Sequence, residues 1–327
     1  MRAVVVQDDR SLAEVDVEEP QPGEGQVRVR VAACGICGSD IHMRPSAALE
    51  AGSIMGHEFT GVVDLLEPGV EGLSEGDRVV VFPFKPLDHH DIEVAMSTGL
   101  GLGVNPGAYA EAVVVSADMV WRLPESVDLE HGTLVEPLAV ALHGLNVGEV
   151  TPGDRCAVIG AGPIGVMVAH ALRARGVERT VVVEKNARRL GRIRSLGFEA
   201  VGLDSVHADV MEQLGGAPDV VLECAGNPAA PDLAIELVAQ SGRIVLLGVL
   251  EEPVQVSQLN LILKEAQLRA SFAYRPADFD ESISLIAAGR IPCEDLITAR
   301  EPLARADELF AALENPGTDE IKVVLRP

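Results

Sequence analysis

The segment from Cys156 to Arg175, CAVIGAGPIGVMVAHALRAR, constrains the fold of this chain more than any other. Its apolar start, Cys156 to Gly160, reads as a buried strand, and Pro163 suits the first position of a helix running to Arg175. Between them stands Gly160-Ala-Gly162-Pro163-Ile164-Gly165. Gly160 permits a tight turn, Gly162 lets an anionic ligand approach the backbone, and Gly165 lets helix and strand pack closely. The helix N-terminus adds free N–H groups and a partial positive charge, which suits the pyrophosphate of a dinucleotide. The next expected strand, Thr180 to Glu184, ends in a carboxylate 19 residues after Gly165. An acid there accepts from both ribose hydroxyls and repels a 2′-phosphate, so NAD is expected rather than NADP. The expected cofactor residues are Gly160, Gly162, Pro163, Ile164, Gly165 and Glu184. Lys185, Arg188 and Arg189 follow at once. They read as a solvated basic helix face, although an arginine here can also receive a 2′-phosphate.

The surrounding sequence repeats the strand–helix alternation. Strands are expected at Thr180–Glu184, Asp219–Cys224 and Arg243–Gly248, with helices at Ala187–Leu196 and Ala230–Gln240. Such alternation predicts a doubly wound parallel sheet, an α/β fold. Its first helix, Leu138–Val147, follows Pro137. Upstream the character is different. Val27–Ala32, Gly61–Leu65, Arg78–Phe82 and Ala112–Val115 are short Val-rich segments divided by Pro/Gly turns, with no helical run before Pro137. The final segment has a helical stretch at Phe279–Ala288 and a closing strand at Ile321–Leu325. A length of 327 residues suits two domains. The boundaries read as 138–271 for the nucleotide-binding domain, with 1–137 and 272–327 forming the β-rich one.

Charge and cysteine usage narrow the function. The net charge of −24 repels phosphate backbones and anionic lipid, so neither nucleic acid nor a membrane surface is an expected partner. The uncharged run Cys156–Leu172 carries three glycines and a proline, and reads as strand plus helix rather than a membrane span. Five cysteines, an odd and sparse set, with no signal peptide at Met1–Arg10, predict a reduced cytoplasmic setting.

A second constellation carries chemistry. Cys34-Gly-Ile-Cys37-Gly-Ser39-Asp40-Ile-His42 precedes Gly56-His57-Glu58, and Val135-Glu136-Pro137 lies far downstream. A lone CxxC is no zinc ribbon. One thiolate, one imidazole and one or two carboxylates would suit Zn²⁺ with an open catalytic position. By spacing alone, a buried cysteine and histidine without metal is an equally good reading.

The motifs Gly35-Ile-Cys37-Gly-Ser39-Asp40 with His42, Gly56-His57-Glu58-Phe-Thr-Gly61, Gly76-Asp77-Arg78-Val79, Glu136-Pro137-Leu138 and Gly160-Ala-Gly162-Pro163-Ile164-Gly165 resemble the zinc-dependent medium-chain dehydrogenase/reductases. This is the alcohol dehydrogenase superfamily, and the resemblance spans essentially the whole chain. It implies a GroES-like β-rich catalytic domain joined to a Rossmann domain. It implies Cys37 and His57 as zinc ligands, with Glu58 and Glu136 as candidates to complete the shell. Ser39 would bond the substrate hydroxyl, His42 would end a proton relay through the nicotinamide ribose, and Asp40 would orient His57. Cys34 matches no ligand position and is expected to be a small buried residue.

The resemblance further implies a homodimer or homotetramer acting on a small-molecule alcohol. Glu136-Pro137-Leu138, Lys264-Glu265 and Ser271-Phe272-Ala273-Tyr274 resemble the sorbitol, threonine and butanediol dehydrogenase branch. Polyol enzymes of that branch carry arginine where this chain has Ala273, and alcohol, polyol, amino alcohol and sugar all remain open as substrates. The competing classes are a zinc hydrolase, which leaves the glycine motif and Glu184 without a role, and a non-catalytic NAD-binding protein, which has no need of Cys37 and His57.

Many relatives hold a second, structural zinc on four cysteines. The corresponding stretch from Phe84 to Asn105 has none, and Asp88-His89-His90-Asp91 within it reads as a solvated loop. The lobe is therefore expected to be a shortened, mobile or partner-packed loop. One zinc per chain is predicted, lost in Cys37→Ala together with activity but without global unfolding. Metal analysis of the purified protein and variant checks this, and two tightly held zincs per chain would refute it.

Overall fold

A computed structural model describes residues 1–46, 49–87, 91–250, 252–315 and 317–327. The chain forms two compact units, Met1–Glu136 with Arg275–Pro327, and Pro137–Tyr274. The GroES-like and Rossmann architectures expected from the sequence are both present.

The second unit is a six-stranded, wholly parallel sheet. Its spatial order is Glu199–Val201, Arg179–Val183, Arg155–Ile159, Val220–Glu223, Arg243–Leu246 and Gln267–Ala270. This is the 3-2-1-4-5-6 order of a dinucleotide-binding sheet, whose switch point lies at the end of Arg155–Ile159. Val181, Val183, Val221 and Ile244 pack with Val210, Ala234 and Ile235 from the flanking helices. The helix Pro163–Ala174 is buried from Gly165 to Leu172, which anchors it beneath the glycine turn.

The first unit is built on a seven-stranded sheet whose central strand is Gln26–Gly35. That strand pairs antiparallel with Glu58–Leu66 on one side, and with Ala112–Ser116 and Lys322–Arg326 on the other. The register matters for the site. Gly35 lies opposite Glu58 in one neighbour and Val324 in the other, and the Ile36 amide donates to Val323 O at 2.9 Å. Residues adjoining the end of one strand thus meet residues from two others that are distant in sequence. Val29, Val31, Phe59, Val79, Val113, Phe310 and Leu325 fill the core.

Among the described residues three short α-helices precede Pro137, where the sequence pattern shows none: Gly38–Met43, Ile92–Thr98 and Leu129–Gly132. Helices of four to seven residues are too short to display a periodicity, and caps decide them instead. Asp91 accepts from the amides of Glu93 and Val94 at 3.0 and 3.1 Å, and Asp128 accepts from Glu130 N at 2.8 Å. The cysteine-free lobe is accordingly not simply a loop. Asn105 Nδ2 closes the helix Ile92–Thr98 by donating to Ser97 O at 3.1 Å. Asp88, His89 and His90 lie outside the described residues. Among the described residues, no helix is long and apolar enough to cross a membrane.

Candidate active site

The strand Gln26–Gly35 ends in a turn that places Cys37 at the N-cap of the helix Gly38–Met43. His57 precedes, and Glu58 opens, the neighbouring strand. The sheet register therefore brings together a thiol, an imidazole and a carboxylate whose ligand atoms lie within 4.8 Å of one another. Glu58 Oε1 and His57 Nδ1 are buried without an aligned hydrogen-bond partner. A soft thiolate, an imidazole and a carboxylate oxygen are the donor set that suits Zn²⁺. The residues fit the metal.

Glu136 does not join this group. It sits in the first turn of the helix Val135–Val147, and its carboxylate acts on the site through its charge, which helps raise the pKa of Lys322. Cys34 is fully buried, and burial pushes its thiol well up, out of reach of ionisation at neutral pH. It is the inert residue the sequence suggests.

Asp40, wholly buried, lies behind His57. Its Oδ1 is 3.3 Å from His57 Nδ1, off the line of a straight hydrogen bond. Its Oδ2 accepts from Cys37 N at 2.9 Å and from the Tyr109 hydroxyl at 2.7 Å. Burial disfavours both charges, but their mutual attraction wins: the Asp40 carboxyl is held below the usual range and the His57 imidazole well above its own. Metal must displace that proton, so zinc binding competes with acid. Ser39 Oγ lies 3.3 Å from His57 Nε2, and His42 is three residues further along the same short helix.

Two residues of this buried corner escape sequence reasoning, Lys322 and Tyr109. Lys322 is only 2% exposed, and its Nζ donates to Ile36 O at 3.1 Å and to Glu58 Oε2. Burial works against its charge, yet Glu58, Cys37 and Glu136 together hold its pKa above the ordinary value. The ammonium occupies Oε2 and leaves Oε1 of Glu58 for a metal. The one available signal was a lysine followed by three apolar residues, Lys322-Val-Val-Leu, in the strand Lys322–Arg326.

In the second unit, Gly160 has φ +98°, and a Cβ at Gly165 would run into the carbonyl oxygen of Gly160. At Gly162 a Cβ would meet nothing nearer than Arg189 Nη1 at 3.8 Å, so the loop is open to a ligand there. Glu184 Oε2 accepts from Ala161 N at 2.8 Å, and Oε1 accepts from Asn186 N at 2.7 Å. These bonds aim the carboxylate, and each oxygen retains a lone pair for a ribose hydroxyl. The cradle fits a dinucleotide.

Residues 163–288 match the family model described as zinc-binding dehydrogenase, and residues 23–125 that of the alcohol dehydrogenase GroES-like domain. The chain belongs to the zinc-dependent alcohol dehydrogenase family. It is 32% identical to (R,R)-butanediol dehydrogenase of Bacillus subtilis, covering 100% of both chains. The crystal structure of 2R,3R-butanediol dehydrogenase from the same species superposes with a TM-score of 0.91 at 31% identity, covering 100% of this chain and 99% of the other. Human sorbitol dehydrogenase is 30% identical over 89% of this chain and 86% of its own length. An Escherichia coli alcohol dehydrogenase solved with NADH superposes with a TM-score of 0.90 at 28% identity, covering 100% of this chain and 99% of that one. Butanediol and sorbitol dehydrogenases, which the sequence motifs resemble, are thus among the relatives.

The buried pair predicts how this dehydrogenase responds to charge removal. Lys322→Met leaves Glu58 as an uncompensated buried carboxylate, which should cost about 3–5 kcal/mol in the metal-free protein. Urea denaturation measures it, and zinc should recover part of the loss. A change below about 1 kcal/mol would show that the pair does not hold this corner of the sheet.

Proposed function

We propose that the chain is an NAD-dependent zinc alcohol dehydrogenase, with Cys37, His57 and Glu58 holding the metal. The supporting observation is a half-buried thiol beside a buried imidazole and carboxylate, in a chain that also carries an open glycine cradle for a dinucleotide. Bound there, zinc would lower the pKa of an alcohol as it lowers that of water, to about 7, and NAD⁺ would accept the hydride. The chain's own residues do the remaining work. Asp40 keeps His57 in the tautomer whose Nε2 can bind metal. Lys322 steadies Glu58 by holding Oε2. Ser39 Oγ would accept a hydrogen bond from the substrate hydroxyl, and His42 would be the base at the end of a proton relay through the nicotinamide ribose. Glu136 tunes the field at Lys322. Glu184 selects NAD by accepting from the ribose hydroxyls and repelling a 2′-phosphate.

Ala273, in place of an arginine, favours simple alcohols or diols over longer polyols. A hydrolase reading leaves the glycine cradle and Glu184 unexplained, and a non-catalytic reading does the same for the buried donor group.

The domain division proposed is 1–137 with 272–327 for catalysis and 138–271 for the cofactor. We further propose a second copy of the chain as partner of the edge strand Gln267–Ala270. Leu268, Phe272, Leu259, Ile262 and Leu263 are exposed on and beside it. An edge strand with exposed apolar side chains on and beside it is normally paired or covered. Sedimentation at the mass of a monomer would end that proposal.

The activity is tested by following reduction of NAD⁺ and, in parallel, NADP⁺ against a panel of alcohols, diols, polyols and amino alcohols. Reduction of NAD⁺ with at least one alcohol, and little of NADP⁺, is expected. Equal use of both cofactors would overturn the role of Glu184, and no reduction of either would overturn the enzyme reading. In the same assay His42→Ala should slow oxidation most below about pH 8, where hydroxide is too scarce to replace an imidazole base. A small buffer base should rescue it. An unchanged pH–rate profile removes His42 from the relay.

A further inference from the structure

Tyr109 is one of only two tyrosines in the chain and is completely buried. Its segment runs along the backbone that leads into His57. Gly107 N donates to Ile54 O at 2.8 Å, Tyr109 N to Met55 O at 2.9 Å, and Ala108 N to Gly56 O at 2.9 Å. Gly56 has φ +97°, and a Cβ there would stand 2.6 Å from the Tyr109 ring. Only glycine lets the ring lie this close to the peptide preceding His57. On its other side the ring meets Phe310 edge-on, with centroids 6.1 Å apart at 89°. The close fit on Gly56 fixes the position of the ring, and Phe310 adds packing.

That position aims its hydroxyl. The phenol oxygen is 2.7 Å from Asp40 Oδ2 and a long 3.4 Å from Gly35 O. Oδ2 also accepts from Cys37 N at 2.9 Å, so two donors hold one oxygen of the carboxylate. The other oxygen is left facing His57 Nδ1 at 3.3 Å. Burial, with the charge of Asp40 beside it, pushes the phenol well up, so it remains a donor throughout the neutral range.

We propose that Tyr109 is a positioning residue for the metal centre: its ring sets the backbone entering His57 while its hydroxyl locks the rotation of Asp40. Zinc affinity would then depend on a phenol oxygen that touches neither metal nor substrate. The physical reason is the loss that follows its removal. With Cys37 N as its only donor, the carboxylate can turn about that single bond. Oδ1 then leaves Nδ1, and nothing enforces the tautomer that keeps Nε2 free for metal. Tyr109→Phe removes the oxygen and keeps the ring, so packing against Gly56 and Phe310 is retained.

This inference rests on the zinc reading of Cys37, His57 and Glu58, and the wild-type protein tests that reading separately. The experiment is a competition between the metal-free protein and a zinc chelator, giving the zinc Kd of wild type, Tyr109→Phe, Asp40→Asn, the double variant and Phe310→Leu. Tyr109→Phe should raise Kd roughly tenfold, the low end of the loss seen when the support of a ligating histidine is removed. The double variant should bind no more weakly than Asp40→Asn, because the hydroxyl acts through that carboxylate. Phe310→Leu should lower the Tm and leave Kd unchanged, which separates positioning from packing. A wild-type Kd in Tyr109→Phe, full additivity with Asp40→Asn, or an equal loss in Phe310→Leu would each overturn the inference. Should Asp40→Asn fail to fold, the contrast between Tyr109→Phe and Phe310→Leu decides alone. Wild-type protein that binds no zinc would refute the metal reading itself.

Discussion

The buried ion pair between Glu58 and Lys322 is the constraint on which the catalytic unit turns. Both side chains are about 1% exposed, and their residues are 264 positions apart in the chain. Two charges taken out of water are tolerable only if each has its partners in place. Glu58 opens the strand that follows His57, and Lys322 opens the strand that closes the fold. The pair can form only when both strands flank the end of Gln26–Gly35 in the observed register. A one-residue slip would turn both charges to the opposite face. The geometry that supplies the metal donors is thus the geometry that satisfies these two charges.

Around that pair the polar groups form layers. Cys37, His57 and Glu58 offer donors, while Asp40 and Lys322 each fix one of them. Tyr109 in turn fixes Asp40. Apart from the half-buried Cys37 these side chains are buried, so each interaction is stronger than it would be in water and each missing partner costs more. The second unit solves a different problem. With a net charge of −24 the chain needs a local device for an anionic dinucleotide, and the proposed cradle offers backbone amides at a helix start rather than bulk charge. Glu184 is part of that device. Its bond to Ala161 N ties the carboxylate to the glycine turn, so the ribose-selecting group and the pyrophosphate loop share one rigid corner.

Legibility in the sequence followed the length over which a physical pattern extends. The strands Arg155–Ile159 and Arg179–Val183 and the helix Pro163–Ala174 fall within a residue or so of their sequence-based bounds, because apolar runs and a glycine motif mark them. The helix Val135–Val147 begins two residues before Pro137, since the amides of the first turn need no partner within the helix and proline is tolerated there. The helix Ile92–Thr98 was invisible for a related reason: two turns carry too few residues for a period, and Asp91 and Asn105 impose it from its ends. Val206–Leu214, by contrast, shows Val206, Val210 and Leu214 at four-residue spacing, a pattern open to reading.

The sequence by itself determined the family, the two-domain α/β architecture, the glycine cradle with Glu184, and the candidate donors Cys37, His57, Glu58 and Glu136. These are local matters: residue types at short spacing whose chemistry does not depend on what lies opposite. Tertiary structure alone decided which donors meet. Glu58 joins Cys37 and His57 while Glu136 remains outside, because sheet register sets the first and a helix start sets the second. It alone brought Lys322 and Tyr109 to the centre, for no spacing in a sequence reveals that a lysine near the end of the chain neutralises a carboxylate near its beginning. Burial is the physical reason. Inside the sheet a charge or a hydroxyl must find its partner wherever the fold places one, and only the assembled fold fixes that place.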